Sequence, residues 1–152
     1  MRELQKTENQ MRKINSIILH CSATSEGKHI DTETIRQWHL QRGWDDIGYH
    51  YVIELDGSIH KGRDEGTIGA HCFGHNTDSI GICYVGGLTS DGKQPKDTRT
   101  EEQKKSLYKL TKDLQDKYNI PLSEIHCHNE FANKACPSFS IETFKEELIN
   151  QG

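Results

Sequence analysis

No stretch of this chain approaches the roughly 20 consecutive apolar residues that a helix needs to cross a bilayer. Its opening, Met1-Arg2-Glu3-Leu4-Gln5-Lys6, lacks the apolar core of a secretory signal. Membrane insertion is therefore not expected, and synthesis in the cytoplasm without a recognisable signal peptide is. Positive charge is not in excess either: 19 Lys and Arg stand against 23 Asp and Glu, a formal net charge of −4. A nucleic-acid surface needs a basic stripe to neutralise phosphates, so nucleic acid is not an expected partner. The 5 cysteines (Cys21, Cys72, Cys83, Cys127, Cys136) are odd in number and sparse. They do not make the even, dense framework of a small secreted domain, and they suit a reducing compartment with one thiol available as a ligand. There is no Cys-x-x-Cys pair to close a structural zinc site and no His-Glu-x-x-His stretch to carry a carboxylate base on a helix. Internal repeats and low-complexity tracts are absent.

What is present suffices for one domain. The 152 residues are 32% apolar and 28% charged, an ordinary globular balance that excludes a disordered acidic chain. Residues 1–12 are polar and aperiodic and read as a flexible arm, with the domain occupying residues 13–152. The run from Ile14 to Cys21 is rich in β-branched residues and reads as a largely buried strand ending at His20. Asp31 or Thr32 can cap a short helix whose apolar side carries Ile35, Trp38 and His39, with Gly43 ending it. Strand-like runs from Tyr49 to Leu55 and Ser58 to His60 flank Asp56-Gly57, which predicts a hairpin closed by a two-residue turn. Ile80 to Val85 reads as a further strand. Thr100 with Gln103 forms a capping box for a helix to about Tyr118, and Leu107, Leu110, Leu114 and Tyr118 recur on one face of it. Ser123 to His128 predicts a last strand, and Ser140 caps a final helix through Leu148. Strands interleaved with helices imply an α/β domain, and the hairpin forces one antiparallel pair, so the expectation is a single central mixed β-sheet flanked by helices.

Three residues stand out as candidate metal ligands: His20, His128 and Cys136. Two imidazoles and a thiolate suit a borderline-soft cation such as Zn²⁺, and three protein ligands leave a fourth position for water, which is a catalytic count. His126 shares a strand face with His128 by alternation and stands as an alternative ligand, whereas Cys127 should point away from the metal. His50 and His60 on the hairpin, and His29, His39 and His75 elsewhere, read as packing or surface residues.

Several segments together resemble the phage-lysozyme type of N-acetylmuramoyl-L-alanine amidase, a family that shares its fold with the peptidoglycan recognition proteins. They are Ile17-Ile18-Leu19-His20-Cys21-Ser22-Ala23-Thr24, Trp38-His39-Leu40-Gln41-Arg42-Gly43-Trp44, Gly48-Tyr49-His50-Tyr51-Val52-Ile53, Gly69-Ala70-His71, Ser79-Ile80-Gly81-Ile82 and Lys134-Ala135-Cys136-Pro137-Ser138-Phe139. By that resemblance His20, His128 and Cys136 correspond to the ligands of one zinc per chain, Tyr49 and Lys134 to a catalytic pair, and His71 to a residue lining the substrate groove. Cys127 departs from the family, which commonly has glycine before the ligand histidine. The reaction implied is hydrolysis of the amide between the N-acetylmuramoyl lactyl group and L-alanine of peptidoglycan. A wall-cutting enzyme made in the cytoplasm would be a lysis enzyme of phage or prophage, acting as a monomer after release.

Overall fold

The computed structural model describes residues 12–151. Residues 1–11, most of the predicted arm, lie outside the described residues. Arg12, assigned to that arm, is bound to the domain: its guanidinium donates to the backbone oxygens of Glu65 at 2.7 Å, Thr77 at 3.1 Å and Ser79 at 3.2 Å.

Among the described residues, seven strands and three α-helices follow in order: β1 (Ser16–Cys21), β2 (Thr24–Ser25), α1 (Thr32–Gln41), β3 (Tyr51–Ile53), β4 (Ile59–Lys61), β5 (Ser79–Tyr84), β6 (Gly87–Leu88), α2 (Glu101–Tyr118), β7 (Ile125–Cys127) and α3 (Ile141–Asn150). The main sheet has 5 strands in the order β4-β3-β5-β1-β7. Pairs β1–β5, β1–β7 and β3–β5 are parallel, and β3–β4 is antiparallel, so the sheet is mixed as expected. A second sheet of 2 strands, β2 and β6, has no counterpart in the sequence reading, because strands this short carry no periodic signal.

Alternation along the strands sorts two cores. Ile17, Leu19 and Cys21 of β1, Ile80, Ile82 and Tyr84 of β5, and Ile125 and Cys127 of β7 pack with α2 and α3 on one face. On the other face, Ile35 of α1 packs with Ile30, Ile47, Val52, Cys83 and Val85. β1 is buried on both faces, which is why it reads as a continuous apolar run. Helix α2 opens on the predicted capping box: Thr100 Oγ1 accepts from Gln103 N, and Gln103 Oε1 accepts from Thr100 N.

Three expectations are corrected. Glu54 N donates to Ser58 O and Gly57 N to Glu54 O, so the hairpin closes through a three-residue turn. Gly57 takes φ +88 there, a left-handed value glycine adopts without steric cost. Trp38 is 36% exposed, because Thr32, Ile35 and His39 already fill the inward face of the short α1. The last strand ends at Cys127, and His128 opens a 3₁₀ turn.

Candidate active site

Parallel register makes the site. In the pairing of β1 with β7, Leu19 lies opposite Cys127, so the next residues, His20 still within β1 and His128 just past the end of β7, stand side by side. Their ring centroids are 4.6 Å apart. This is the carboxyl end of parallel strands, where α/β sheets place their ligands. Cys136 comes from the loop before α3, which is tied down on both sides. Tyr84 Oη donates to Pro137 O at 2.7 Å, Ser138 Oγ to Gly87 O at 2.9 Å, and Asn129 Nδ2 to Phe139 O at 3.1 Å.

The three candidate ligands converge: one ligand atom from each of His20, His128 and Cys136 lies within 4.8 Å of the others. Cys136 Sγ is 3.9 Å from His20 Nδ1 and accepts from Cys21 N–H at 3.2 Å, a contact that favours a thiolate. Beside the Cys21 sulfur and largely out of water, the Cys136 thiol is otherwise pushed above its ordinary value. His128 Nδ1 is buried with no hydrogen-bond partner among the described residues. An orphaned buried nitrogen next to a thiol and a second imidazole is what a metal ligand looks like without its metal, since buried polar atoms otherwise find partners. The donor set therefore fits one zinc-type cation.

Other histidines are accounted for. His126 is not a fourth candidate: its Nδ1 contacts Glu130 Oε1 at 3.2 Å and its Nε2 contacts Glu124 Oε1 at 2.9 Å. Its neighbour Cys127 is turned into the α2 core, as alternation required. His50 Nδ1 accepts from Gly81 N at 3.0 Å and its Nε2 donates to Thr67 O at 2.8 Å, so His50 ties loop to strand. His39 Nδ1 accepts from Gly48 N at 2.8 Å and holds the turn that presents Tyr49. His75 stacks on Phe131 with centroids 3.9 Å apart.

Tyr49 lies with its ring centroid 5.2 Å from that of His20. Burial, reinforced by the sulfurs of Cys83, Cys136 and Cys21, raises its phenol well above the ordinary value, so the hydroxyl stays protonated. Lys134 is exposed on a bent segment, its N–H donating to Ala132 O at 2.9 Å; the segment is not extended toward Cys136. Burial lowers the pKa of both His20 and His128, with the Lys134 ammonium a smaller cause for each. A cleft of about 510 Å³ is lined by Trp44, His71, Phe73, His128, Phe131 and Lys134, so of the three candidate ligands it is His128 that borders it. His71 borders it, and both its ring nitrogens are engaged, with His20 Nε2 at 2.9 Å and Ser79 Oγ at 3.1 Å. Ser79 is fully buried and was not singled out from the sequence by itself. It stands in a quoted motif, but nothing in the sequence says where its hydroxyl points.

A mixed α/β sheet with a cleft near the carboxyl ends of its parallel strands, and three potential cation donors converging where His128 lines that cleft, defines an α/β domain with a candidate metal site. Comparison with known proteins gives the family. A model described as N-acetylmuramoyl-L-alanine amidase matches residues 10–139, and the chain belongs to that family. It is 41% identical over 142 residues to an endolysin of Escherichia phage T7, covering 92% of each chain. It is also 37% identical over 151 residues to an endolysin of Klebsiella phage KP32, covering 98% of this chain and 97% of that one. Among solved structures, the N-acetylmuramoyl-L-alanine amidase LysC from Clostridium intestinale URNW superposes with a TM-score of 0.75 at 31% identity, covering 90% of this chain and 85% of that one. The activity is that of a peptidoglycan amidase.

Proposed function

We propose that this chain is a phage lysis enzyme that hydrolyses the lactyl–L-alanine amide of peptidoglycan, with His20, His128 and Cys136 holding one zinc ion. The observation that carries this reading is the convergence of those three donors, with His128 Nδ1 left unpartnered among the described residues, beside a cleft that His128 lines. When bound there, zinc would lower the pKa of water toward about 7 and polarise a carbonyl. The protein's own groups supply the rest. Tyr49, kept neutral by burial, offers an O–H donor to the reacting groups. Lys134, at the cleft wall beside His128, offers a cation for the charge that develops on the carbonyl oxygen. Trp44, Phe73 and Phe131 give the cleft an aromatic rim against which a glycopeptide can lie. Action on the wall follows release from the cell in which the chain is made.

The test is release of amino groups from purified peptidoglycan, with product identification by mass spectrometry and metal analysis of the protein. Expected are fragments with a free alanine amino terminus, about one zinc per chain from the three-ligand count, and loss of activity on chelation that zinc restores. Tyr49→Phe and Lys134→Ala should each lower kcat by about 10²-fold or more while leaving zinc content unchanged. No new amine above the chelated control would overturn the reading.

A further inference from the structure

Proton bookkeeping behind the ligand set leads one step further. Ser79 Oγ lies 2.6 Å from His75 O, and a carbonyl oxygen can only accept, so the single hydroxyl proton is spent there. Toward His71 Nε2, 3.1 Å away, the hydroxyl can then only accept, so that nitrogen carries the N–H. A ring with no carboxylate partner and one N–H leaves His71 Nδ1 bare. That nitrogen is 2.9 Å from His20 Nε2, which must therefore be the donor. The chain ends at His20 Nδ1, the nitrogen facing Cys136 Sγ at 3.9 Å, with its lone pair free. The reverse direction would put Ser79 Oγ against His75 O with no proton between them.

The surroundings hold this arrangement in place. His20, His71 and Ser79 are all buried, at 2%, 8% and 0% exposure. The His20 and His71 rings meet edge to face at 87°. A Cβ added at Gly81 would lie 2.5 Å from His71 Cγ, and one added at Gly69 would lie 2.8 Å from His71 Cδ2, so two missing side chains make the slot for the ring. The backbone N–H groups of His71 and Cys72 both donate to Asn76 Oδ1 at 2.9 Å, which fixes the loop that delivers it.

We propose that Ser79 and His71 are positioning residues for the reaction: their hydrogen-bonded chain holds His20 as the Nε2–H tautomer and presents Nδ1 to the metal. Groups behind a ligand histidine set its tautomer and orientation, and losing them typically costs about 10–100-fold in metal affinity. The proposal rests on the zinc reading above, but its central claim concerns the metal-free protein and is tested there.

In ¹⁵N-labelled metal-free protein, long-range proton–nitrogen correlation spectra should show His20 with Nε2 protonated and Nδ1 bare. The opposite tautomer would overturn the proposal whether or not zinc binds. Zinc affinity, measured by competition with a chromogenic chelator, should fall about 10–100-fold in Ser79→Ala and His71→Leu. His71→Asn should retain affinity within a few-fold, because the amide oxygen sits near the place of Nδ1 and still accepts from His20. Thermal unfolding of the metal-free variants separates a lost fold from a lost tautomer. If Ser79→Ala does not fold, the His71→Asn and His71→Leu pair decides. Equal affinity for Asn and Leu at position 71, with wild-type zinc binding intact, sinks the proposal. Failure of the wild type to bind zinc sinks the reading of the ligand set instead.

Discussion

At the scale of single residues, the ligand set turns on what each nitrogen or sulfur already has for company. His126 and His128 are two apart in the chain and chemically identical, yet the first has both ring nitrogens against carboxylates and the second has a buried Nδ1 with none. His126→Ala is therefore expected to leave zinc content and activity near wild type, whereas His128→Ala should remove stoichiometric zinc; metal analysis of both purified variants checks this. Equal loss in the two would place the metal elsewhere. Strand alternation gave both histidines the same face, and within the sequence it was the family resemblance alone that favoured His128. What broke the symmetry is the end of β7 at Cys127, after which His128 follows a 3₁₀ turn. A thiol and an imidazole are what a zinc-type cation selects, but among 5 cysteines and 9 histidines it was the strand-end position of His20 and the family resemblance that singled out Cys136 and His20.

At the scale of elements, α2 shows how a local signal also does long-range work. The box formed by Thr100 and Gln103 is readable from four residues, but Gln103 does more than cap. Its Nε2 donates to Ile53 O at 3.2 Å and to Val85 O at 3.0 Å, closing the ends of β3 and β5 against the helix from a fully buried position. Gln103→Leu keeps the volume, takes the side-chain donor from Val85 O while Ile53 O keeps the N–H of Val85, and opens the box, so a loss of ~1–3 kcal/mol in urea unfolding is expected. A change below a few tenths of a kcal/mol would show that water or a neighbour replaces it. The helices were legible because caps and apolar stripes are local. The small β2–β6 sheet and the true width of the β3–β4 turn were not, because pairing partners remote in sequence decide them.

At the scale of the whole molecule, stability should depend on acid in a way that burial sets. His39 and His50 are pushed down to about 4, chiefly by burial, from an unfolded value near 6.5. A depressed folded value means that the unfolded chain binds protons first, so their contribution is complete above about pH 6.5 and is lost as pH falls toward 4. Calorimetric melting of the metal-free protein should accordingly show a Tm that is level above neutrality and drops steadily through that window. A flat Tm down to about pH 4.5 would contradict the buried, neutral placement of these rings.

By itself the sequence determined the class of fold, the N-caps of α2 and α3, the burial of β1 and the residue types able to bind a cation, because propensity, periodicity and donor chemistry act over a few neighbouring residues. Only the tertiary structure decided that carboxylates occupy both ring nitrogens of His126 while His128 Nδ1 has no such partner, that His20 Nε2 faces His71, and that Ser79 stands behind His71. Those outcomes depend on the register between strands far apart in the chain and on where single protons go, and neither is written in any local run of residues.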